Sequence, residues 1–265
     1  MTTFIVNRFI IIMKNLLLIL LSSIVFLSCN DVGDKVTREG TDWLKFKLKG
    51  DVKSFREVKF LAVDNFSIIS GGEKIRHIYN KEVLFNLDGN KIEKNDYIPD
   101  GTLANRTVYL YKQDQLIEYN NYDSQGMLFG TGKYETNDDG QITRLNYKTT
   151  DGRYNWSESY EYDGNGNLTE IKRFKTETVI DTKESYSFDD NGNVKESEFH
   201  RDSKLISKNK YNYDDEGNFN ELNFGDSSVY TYKYNYDEKG NWIKKIVFEN
   251  NNPSGILLRE IEYFN

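Results

Sequence analysis

Few residues of this chain belong to the types that do catalytic or metal chemistry. The 265 residues include one cysteine, Cys29, and two histidines, His77 and His200. These are too few for a four-ligand metal site of His and Cys. There is no Gly-x-Ser-x-Gly nucleophile elbow and no phosphate-binding glycine loop before a helix. A Ser–His–Asp triad is recognised by geometry and stays open at this point. We predict a protein that is not an enzyme and has no metal and no cofactor.

The 42 acidic residues suggest two further kinds of chemistry. The segment Asp163-x-Asn165-x-Asn167 matches the first three ligand positions of a calcium loop. However, Leu168 stands where the loop needs glycine, and Phe174 stands where it needs a bidentate glutamate. Paired carboxylates about 5–10 Å apart would suit glycoside hydrolysis. A carbohydrate-active enzyme that uses such a pair in a groove of the sheet is therefore the alternative function.

The first 28 residues are predicted to be a signal peptide. They contain no acidic residue, and Lys14 precedes a largely apolar run from Leu16 to Leu27. Twelve residues at ~1.5 Å each span roughly 18 Å, too short for a bilayer core of ~30 Å. A basic start, a short apolar stretch and a small residue before the cleavage site are typical of secretory leaders. Whether translation starts at Met1 or Met13 is left open.

The only cysteine follows this leader directly. The residues Phe26-Leu27-Ser28-Cys29 resemble the lipobox of bacterial lipoproteins. The resemblance implies cleavage before Cys29, lipidation of Cys29, and export to the outer membrane, on either its periplasmic or its surface side. An uncleaved membrane anchor is the alternative. Residues 29–41 are predicted to be a polar tether, and several acyl chains would hold the protein firmly on the membrane.

The composition favours strands over helices. Aromatic residues make up 14% of the chain, with 19 Tyr and 16 Phe, whereas alanine occurs only at Ala62 and Ala104. Aromatic and β-branched residues suit a pleated surface, and helix faces need Ala and Leu. The formal net charge of −7 argues against a nucleic-acid partner, which would require a basic face.

A repeated motif dominates the second half of the chain. Glycines 140, 166, 192, 217 and 240 are spaced by 26, 26, 25 and 23 residues. In most copies two aromatics two residues apart precede an aspartate, and the glycine follows three residues later. The aspartate suits an Asx turn and the glycine a left-handed turn position. The predicted turn residues are Asp163, Gly166, Asp189, Gly192, Asp214, Gly217, Asp237 and Gly240. Because the apolar positions at Gly+2 and Gly+5 differ by an odd number, we expect a β-bulge beside each turn.

These turns predict an all-β fold, an antiparallel β-hairpin repeat meander. We expect one long twisted, coiling sheet of about 14–16 strands, either an open barrel or solenoid-like. Residues 42–265 are predicted to form a single domain, with irregular units over 42–118 and regular repeats over 119–265. In the irregular part, strands are predicted at 43–48, 52–63, 66–69, 75–87 and 106–112.

The motif Tyr-x-Tyr/Phe-Asp-x-x-Gly-Asn-apolar resembles YD repeats, the tyrosine–aspartate repeats of the Rhs and teneurin families. The resemblance is clear over about 119–249 and loose over 42–118. It implies hairpin architecture and indicates little about chemistry. Family members build long coiling β-sheets, sometimes closed into shells around a toxin domain, and we expect no toxin cargo in this protein. The resemblance is greatest to short, surface-attached repeat lipoproteins.

The aromatic pairs are the candidate ligand contacts, because tyrosine rings can stack on sugars along a polysaccharide. The candidates are Tyr160, Tyr162, Tyr186, Tyr211, Tyr213, Tyr234 and Tyr236. Packing of neighbouring strands against one another is the competing explanation for the same residues. The predicted function is a lipid-anchored binding or structural module of the cell envelope, with a glycan or another envelope protein as its partner.

Overall fold

The computed structural model describes residues 41–66, 68–76, 78–215, 217–225 and 228–265. The predicted signal peptide, the lipidation site Cys29, the tether up to residue 40, and His77 lie outside the described residues. Within the part that is described, no helix is long and apolar enough to cross a membrane.

In the described part of the chain, one short helix, α1 (Asp42–Lys45), precedes seventeen strands that run up and down in chain order. The strands are β1 (Val52–Asn65), β2 (Ile68–Lys74), β3 (Asn80–Phe85), β4 (Lys91–Tyr97), β5 (Leu103–Lys112), β6 (Gln115–Asp123), β7 (Leu128–Thr136), β8 (Ile142–Thr149), β9 (Asn155–Tyr162), β10 (Leu168–Phe174), β11 (Ile180–Phe188), β12 (Val194–Arg201), β13 (Lys204–Tyr213), β14 (Phe219–Phe224), β15 (Ser228–Tyr236), β16 (Trp242–Glu249) and β17 (Asn252–Tyr263). The predicted all-β antiparallel meander is confirmed.

The sheet closes on itself. Each strand from β3 to β16 pairs antiparallel with the next, and β1 pairs with both β3 and β17. Strand β2 pairs with the far half of β1, so sixteen of the seventeen strands form the ring. The prediction of an open barrel or solenoid was wrong, because the pairing of Val52–Leu61 with Gly255–Tyr263 joins the first strand to the last. Closure gives both terminal strands a partner for their backbone groups.

The repeat turns have the predicted geometry. In the turn after β9, the Asp163 side chain accepts the backbone N–H groups of Asn165 and Asn167 at 2.9 Å. Gly166 has φ +83°, which is the left-handed region. The same aspartate-to-backbone bonds recur at Asp189, Asp214 and Asp237, with Gly192, Gly217 and Gly240 at φ +77°, +76° and +81°. All eight predicted turn residues lie in the turns that join neighbouring strands.

The expected bulges are also present. The strand register shifts beside each repeat turn, for example between Leu168 and Glu170 and between Ser187 and Phe188. An extra residue at each bulge returns the next apolar side chain to the same face of the sheet. Asp181 followed by Thr182 is also typical of a hairpin turn, but Asp181 lies inside β11. That hairpin turns earlier, where the backbone N–H of Lys175 donates to the carbonyl of Val179.

The N-terminal segment closes one end of the barrel. Trp43, Phe46 and Leu48 pack against Val52, Phe55, Val83 and Phe85 on the inner face of β1 and β3. The Trp43 indole donates to the carbonyl of Val52 at 2.8 Å. The predicted strand at 43–48 was wrong, because Thr41 caps a single helical turn whose tryptophan enters the core. This end, which includes the turns at Gly89, Gly217 and Gly240, is called the plugged end below; the opposite end is the far end.

Alternation along the strands separates two walls. The inner wall is the face of the sheet that contacts Trp43, Phe46 and Leu48. Because side chains alternate along each strand, the strand register shows which residues of the other strands share this face. On β9 to β13 the outer wall carries polar side chains in cross-strand ion pairs. Lys172 pairs with Glu161 and Glu170 at 2.6 and 2.5 Å, and Lys208 pairs with Glu196 and Glu198, both at 3.1 Å. Exposed pairs of this kind contribute little stability, but they make the outer wall hydrophilic.

Candidate functional site

The predicted ligand-contact tyrosines lie on the inner wall. Their hydroxyls bond within the barrel: Tyr162 to the Ile142 carbonyl, Tyr213 to the Val194 carbonyl, Tyr234 to the Phe219 carbonyl, Tyr160 to Glu158, Tyr186 to Glu184, Tyr211 to Ser197, and Tyr236 with Asn218 and Asp214. Tyr211 is only 6% exposed, and Tyr236 is the most exposed of the set at 37%.

These tyrosines mainly pack neighbouring strands together. Tyr211 and Tyr213 both contact Phe219, with ring centroids 5.5 and 5.0 Å apart. Burial raises the pKa of Tyr162 to about 12, because an ionised phenol would lose its hydration there. The inward placement favours the packing explanation, and a ligand on the outer wall would not meet these rings.

A second aromatic group, which sequence reasoning missed, lies on the inner wall of β6 to β9. The Tyr147 ring stacks between Tyr119 and Trp156, with centroid distances of 6.1 and 5.0 Å. Gly130 and Gly132 of β7 leave room for it: a Cβ atom on Gly132 would stand 2.1 Å from Tyr119, and one on Gly130 would stand 2.0 Å from the Tyr147 hydroxyl. The available signal in the sequence is the pair of glycines two residues apart, since glycine in a strand marks a close approach of side chains to the backbone.

An arginine–glutamate pair adjoins these rings. Arg173 of β10 donates twice to one oxygen of Glu158, from Nε at 2.9 Å and from Nη2 at 2.6 Å. Its guanidinium lies 4.6 Å from the Trp156 ring centroid. The Glu158 side chain is 13% exposed and the Arg173 side chain 48% exposed. Since β10 runs from the plugged end to the far end, Arg173 lies where the inner wall meets solvent.

A second inward carboxylate, Glu184, lies two strands away on β11. Burial raises its pKa, the hydrogen bond from Tyr186 opposes that shift, and the negative charge of Glu158 adds to it. Strand β10 separates the two acids, so their backbones are about 10 Å apart at normal strand spacing. The site therefore holds one carboxylate fixed by arginine and one whose pKa burial raises above its usual value. We call Tyr119, Tyr147, Trp156, Glu158 and Arg173 the Trp156 cluster.

The other candidates from the sequence contribute no site. His200 Nε2 is 4.0 Å from a Glu198 oxygen. Among the residues that the structure describes, no three His, Cys, Asp or Glu side chains are placed to hold a metal ion. The Asp163 Oδ1 oxygen that the calcium pattern would need accepts the turn N–H groups of Asn165 and Asn167 instead.

No protein-family model matches the chain, and no curated protein matches it in sequence. Its fold is similar to that of a porin-like protein from Bacteroides uniformis ATCC 8492, with 12% identity, a TM-score of 0.55, and coverage of 81% of this chain and 98% of that chain. A porin-like protein from Bacteroides vulgatus ATCC 8482 aligns at 14% identity and a TM-score of 0.41 over 80% and 98% of the two chains. The structure of TcdB2-TccC3-TEV aligns at 14% identity and a TM-score of 0.33, over 75% of this chain but only 14% of that one. The first likeness concerns the fold alone, and the other two carry no weight here.

Proposed function

We propose that this chain is a lipid-anchored binding module of the cell envelope, and that it binds a glycan at the Trp156 cluster. The observation that carries the proposal is the stacked row of rings that ends at Trp156 beside the half-exposed Arg173. Aromatic faces offer an apolar surface to the C–H face of a sugar ring. The adjacent guanidinium and carboxylate offer donors and acceptors for sugar hydroxyls.

The outer wall supports attachment through lipid rather than through the barrel itself. A barrel whose wall faces lipid presents an apolar band. Here Lys172, Lys183 and Lys208 lie on the outer wall in ion pairs, and charged groups in hydrocarbon are costly. Acyl chains on Cys29 would hold the protein at the membrane while leaving this wall in water. We also propose that the chain is related to YD-repeat proteins, a relationship that is supported by the repeated Tyr-x-Tyr/Phe-Asp-x-x-Gly-Asn-apolar motif.

Lipidation is tested by metabolic labelling with an acyl-chain analogue. Wild type is expected to incorporate the label and Cys29→Ala to lose it. Equal labelling of the two proteins would refute attachment through Cys29.

Glycan binding is tested with two variants at the same end of β9. Trp156→Ala removes the last ring of the stack, whereas Tyr154→Ala removes a ring that is 70% exposed just before the strand. On a panel of immobilised polysaccharides, the wild type and Tyr154→Ala are expected to bind alike, and Trp156→Ala at least tenfold more weakly. Binding that is unchanged in Trp156→Ala, or absent in wild type, would contradict the glycan site.

A hydrolase is the second candidate, favoured by one observation. Glu184 has a raised pKa, as a general acid needs, and Glu158 lies two strands away on the same wall. Release of reducing ends from a polysaccharide by wild type, lost in Glu184→Gln with binding retained, would establish this alternative. Binding of the polysaccharide without any release of reducing ends would contradict the hydrolase.

A protein partner is favoured by a different part of the fold. The hairpin of β1 and β2 extends past the ring, with Phe66 fully exposed and Ile68 72% exposed. Strand β2 pairs only with β1 among the described residues, so its other edge has no strand beside it. Unpaired apolar edges are sites of strand addition. Crosslinking to an envelope protein that Phe66→Asp abolishes, with polysaccharide binding absent, would favour this partner over the glycan.

A further inference from the structure

A second group of charged side chains lies on the inner wall, where the sheet closes. Glu57 and Lys59 come from β1, Lys81 from β3, Lys245 from β16 and Arg259 from β17. The strand register places Glu57 opposite both Arg259 and Lys81, while Lys59 and Lys245 both face Leu257. We call these five residues the Glu57 cluster.

The charges of this cluster do not balance. Glu57 pairs with Lys81 at 2.9 Å and with Arg259 Nη2 at 2.8 Å, so its two oxygens are both engaged. Lys59 and Lys245 have no carboxylate within 4.0 Å among the described residues. The nearby Lys94 does not change the balance, because Asp96 pairs with it at 2.9 Å. Four cations therefore surround one carboxylate.

A buried donor in the cluster also lacks a partner. The Arg259 side chain is 5% exposed, and its Nε has no hydrogen-bond acceptor among the residues that the structure describes. The guanidinium is held between the rings of Trp242 and Phe55, at 3.5 and 4.4 Å. A buried N–H without an acceptor costs about 1–3 kcal/mol, so such groups are rare in folded proteins. The rings fix the orientation of this donor.

We propose that the Glu57 cluster binds a small oxyanion that has at least two negative charges, of the phosphate class. An oxygen of the anion accepts from Arg259 Nε, and the ammonium groups of Lys59 and Lys245 supply the opposing charge. Arginine and lysine together bind phosphate through directed N–H bonds and point charges. This inference concerns a different part of the inner wall from the Trp156 cluster and does not depend on glycan binding.

The electrostatics agree with this geometry. Burial lowers the pKa of Lys245 to about 8, and the charges of Arg259, Lys81 and Lys59 act in the same direction against the attraction of Glu57. Burial also lowers the pKa of Lys59. A bound dianion would reverse both shifts, because an opposite charge nearby favours the ammonium form. Lys94, whose side chain is 34% exposed on β4, lies where this region meets solvent.

The test uses the full chain and inorganic phosphate at constant ionic strength. Isothermal titration calorimetry is expected to give one site, and the melting temperature is expected to rise with phosphate, because a ligand stabilises the state that binds it. Lys245→Met and Lys59→Met are expected to weaken phosphate binding at least tenfold while raising the melting temperature in phosphate-free buffer. Lys208→Met, on the outer wall, serves as the matched control and should bind as wild type does.

Three results would overturn the proposal. The first is no binding of phosphate by wild type. The second is equal affinity in wild type and in either lysine variant, with circular dichroism showing that the variant is folded. The third is an equal rise in melting temperature with chloride in place of phosphate, which would indicate general screening of the cations. Trp156→Ala should leave phosphate affinity unchanged, so this result is separable from the glycan experiment.

Discussion

Replacement of Gly132 by alanine tests the inner-wall packing most directly. Gly132 lies in the middle of β7, and the Tyr119 ring crosses its backbone. An added Cβ would stand 2.1 Å from Tyr119 Cε1, about 1.3 Å closer than the 3.4 Å at which ordinary contacts begin. The ring cannot retreat freely, because Tyr109, Tyr134 and Tyr147 surround it with centroids at 6.2, 5.8 and 6.1 Å.

The expected cost follows from these contacts. Insertion of a methyl group into a packed core costs about 1–3 kcal/mol, and each aromatic pair that is disturbed contributes about 0.5–1.5 kcal/mol. The alanine restricts the unfolded chain, which offsets about 0.4–1 kcal/mol. Gly132→Ala is therefore expected to lower the free energy of unfolding by about 1–4 kcal/mol.

The matched control is Gly164→Ala. A Cβ atom on Gly164 would meet no atom within 4 Å, and its φ is not in the left-handed region. Only the restriction of the unfolded chain acts there, so this variant is expected to raise the free energy of unfolding by about 0.4–1 kcal/mol. Urea unfolding followed by circular dichroism measures both variants against wild type. If the two variants unfold within about 0.5 kcal/mol of each other, the Tyr119 ring does not lie over β7 as described.

Three further outcomes are expected from the same unfolding assay. In phosphate-free buffer at pH 7, Lys245→Met is expected to raise the free energy of unfolding by about 2–4 kcal/mol, because burial and nearby cations lower the Lys245 pKa to about 8. Wild-type stability should rise between about pH 8 and 10.5, where only the unfolded chain binds this proton, and the variant should lack that rise. Glu57→Gln should lose about 3–5 kcal/mol by leaving Lys81 and Arg259 buried without their carboxylate. Burial by itself would raise the Glu57 pKa, but Lys81 and Arg259 lower it below its usual value of 4.5. The ionised Glu57 carboxylate therefore contributes its full stabilisation of the fold above pH 4.5, and this stabilisation decreases as the pH falls below that value. Gly166→Ala is expected to lower the free energy of unfolding by about 1–2 kcal/mol, because Gly166 has φ +83°, whereas Gly164→Ala is not expected to lower it.

The local features of the fold could be predicted because they depend on residues close together in the chain. The Asx turn at Asp163 and the left-handed Gly166 involve five consecutive residues, and the bulge follows from the spacing of the next apolar positions. The segment 43–48 was predicted wrongly because its conformation depends on distant partners. The Trp43 indole donates to the carbonyl of Val52, and Lys47 donates to the carbonyl of Gly217, which is 170 residues further along the chain.

The candidate sites were less predictable than the turns. The repeat pattern marks the aromatic pairs but does not show which wall becomes the interior, so the same tyrosines fitted both packing and ligand contact. The Trp156 cluster combines residues from β6, β8, β9 and β10, and the sequence analysis did not find it, although the close pair Gly130 and Gly132 lies beside it. In the Glu57 cluster, Glu57 and Arg259 are 202 residues apart and meet only because the barrel closes.

The sequence alone determined the strand content, the hairpin turns and the alternation of side chains, since each is set by interactions within a few residues. Tertiary structure decided closure, the inner and outer walls, and the meeting of charges at the seam between β1 and β17. Closure satisfies the backbone groups of two strands at opposite ends of the chain. No pattern within a single repeat specifies that pairing, because it depends on the number of strands and their cumulative twist.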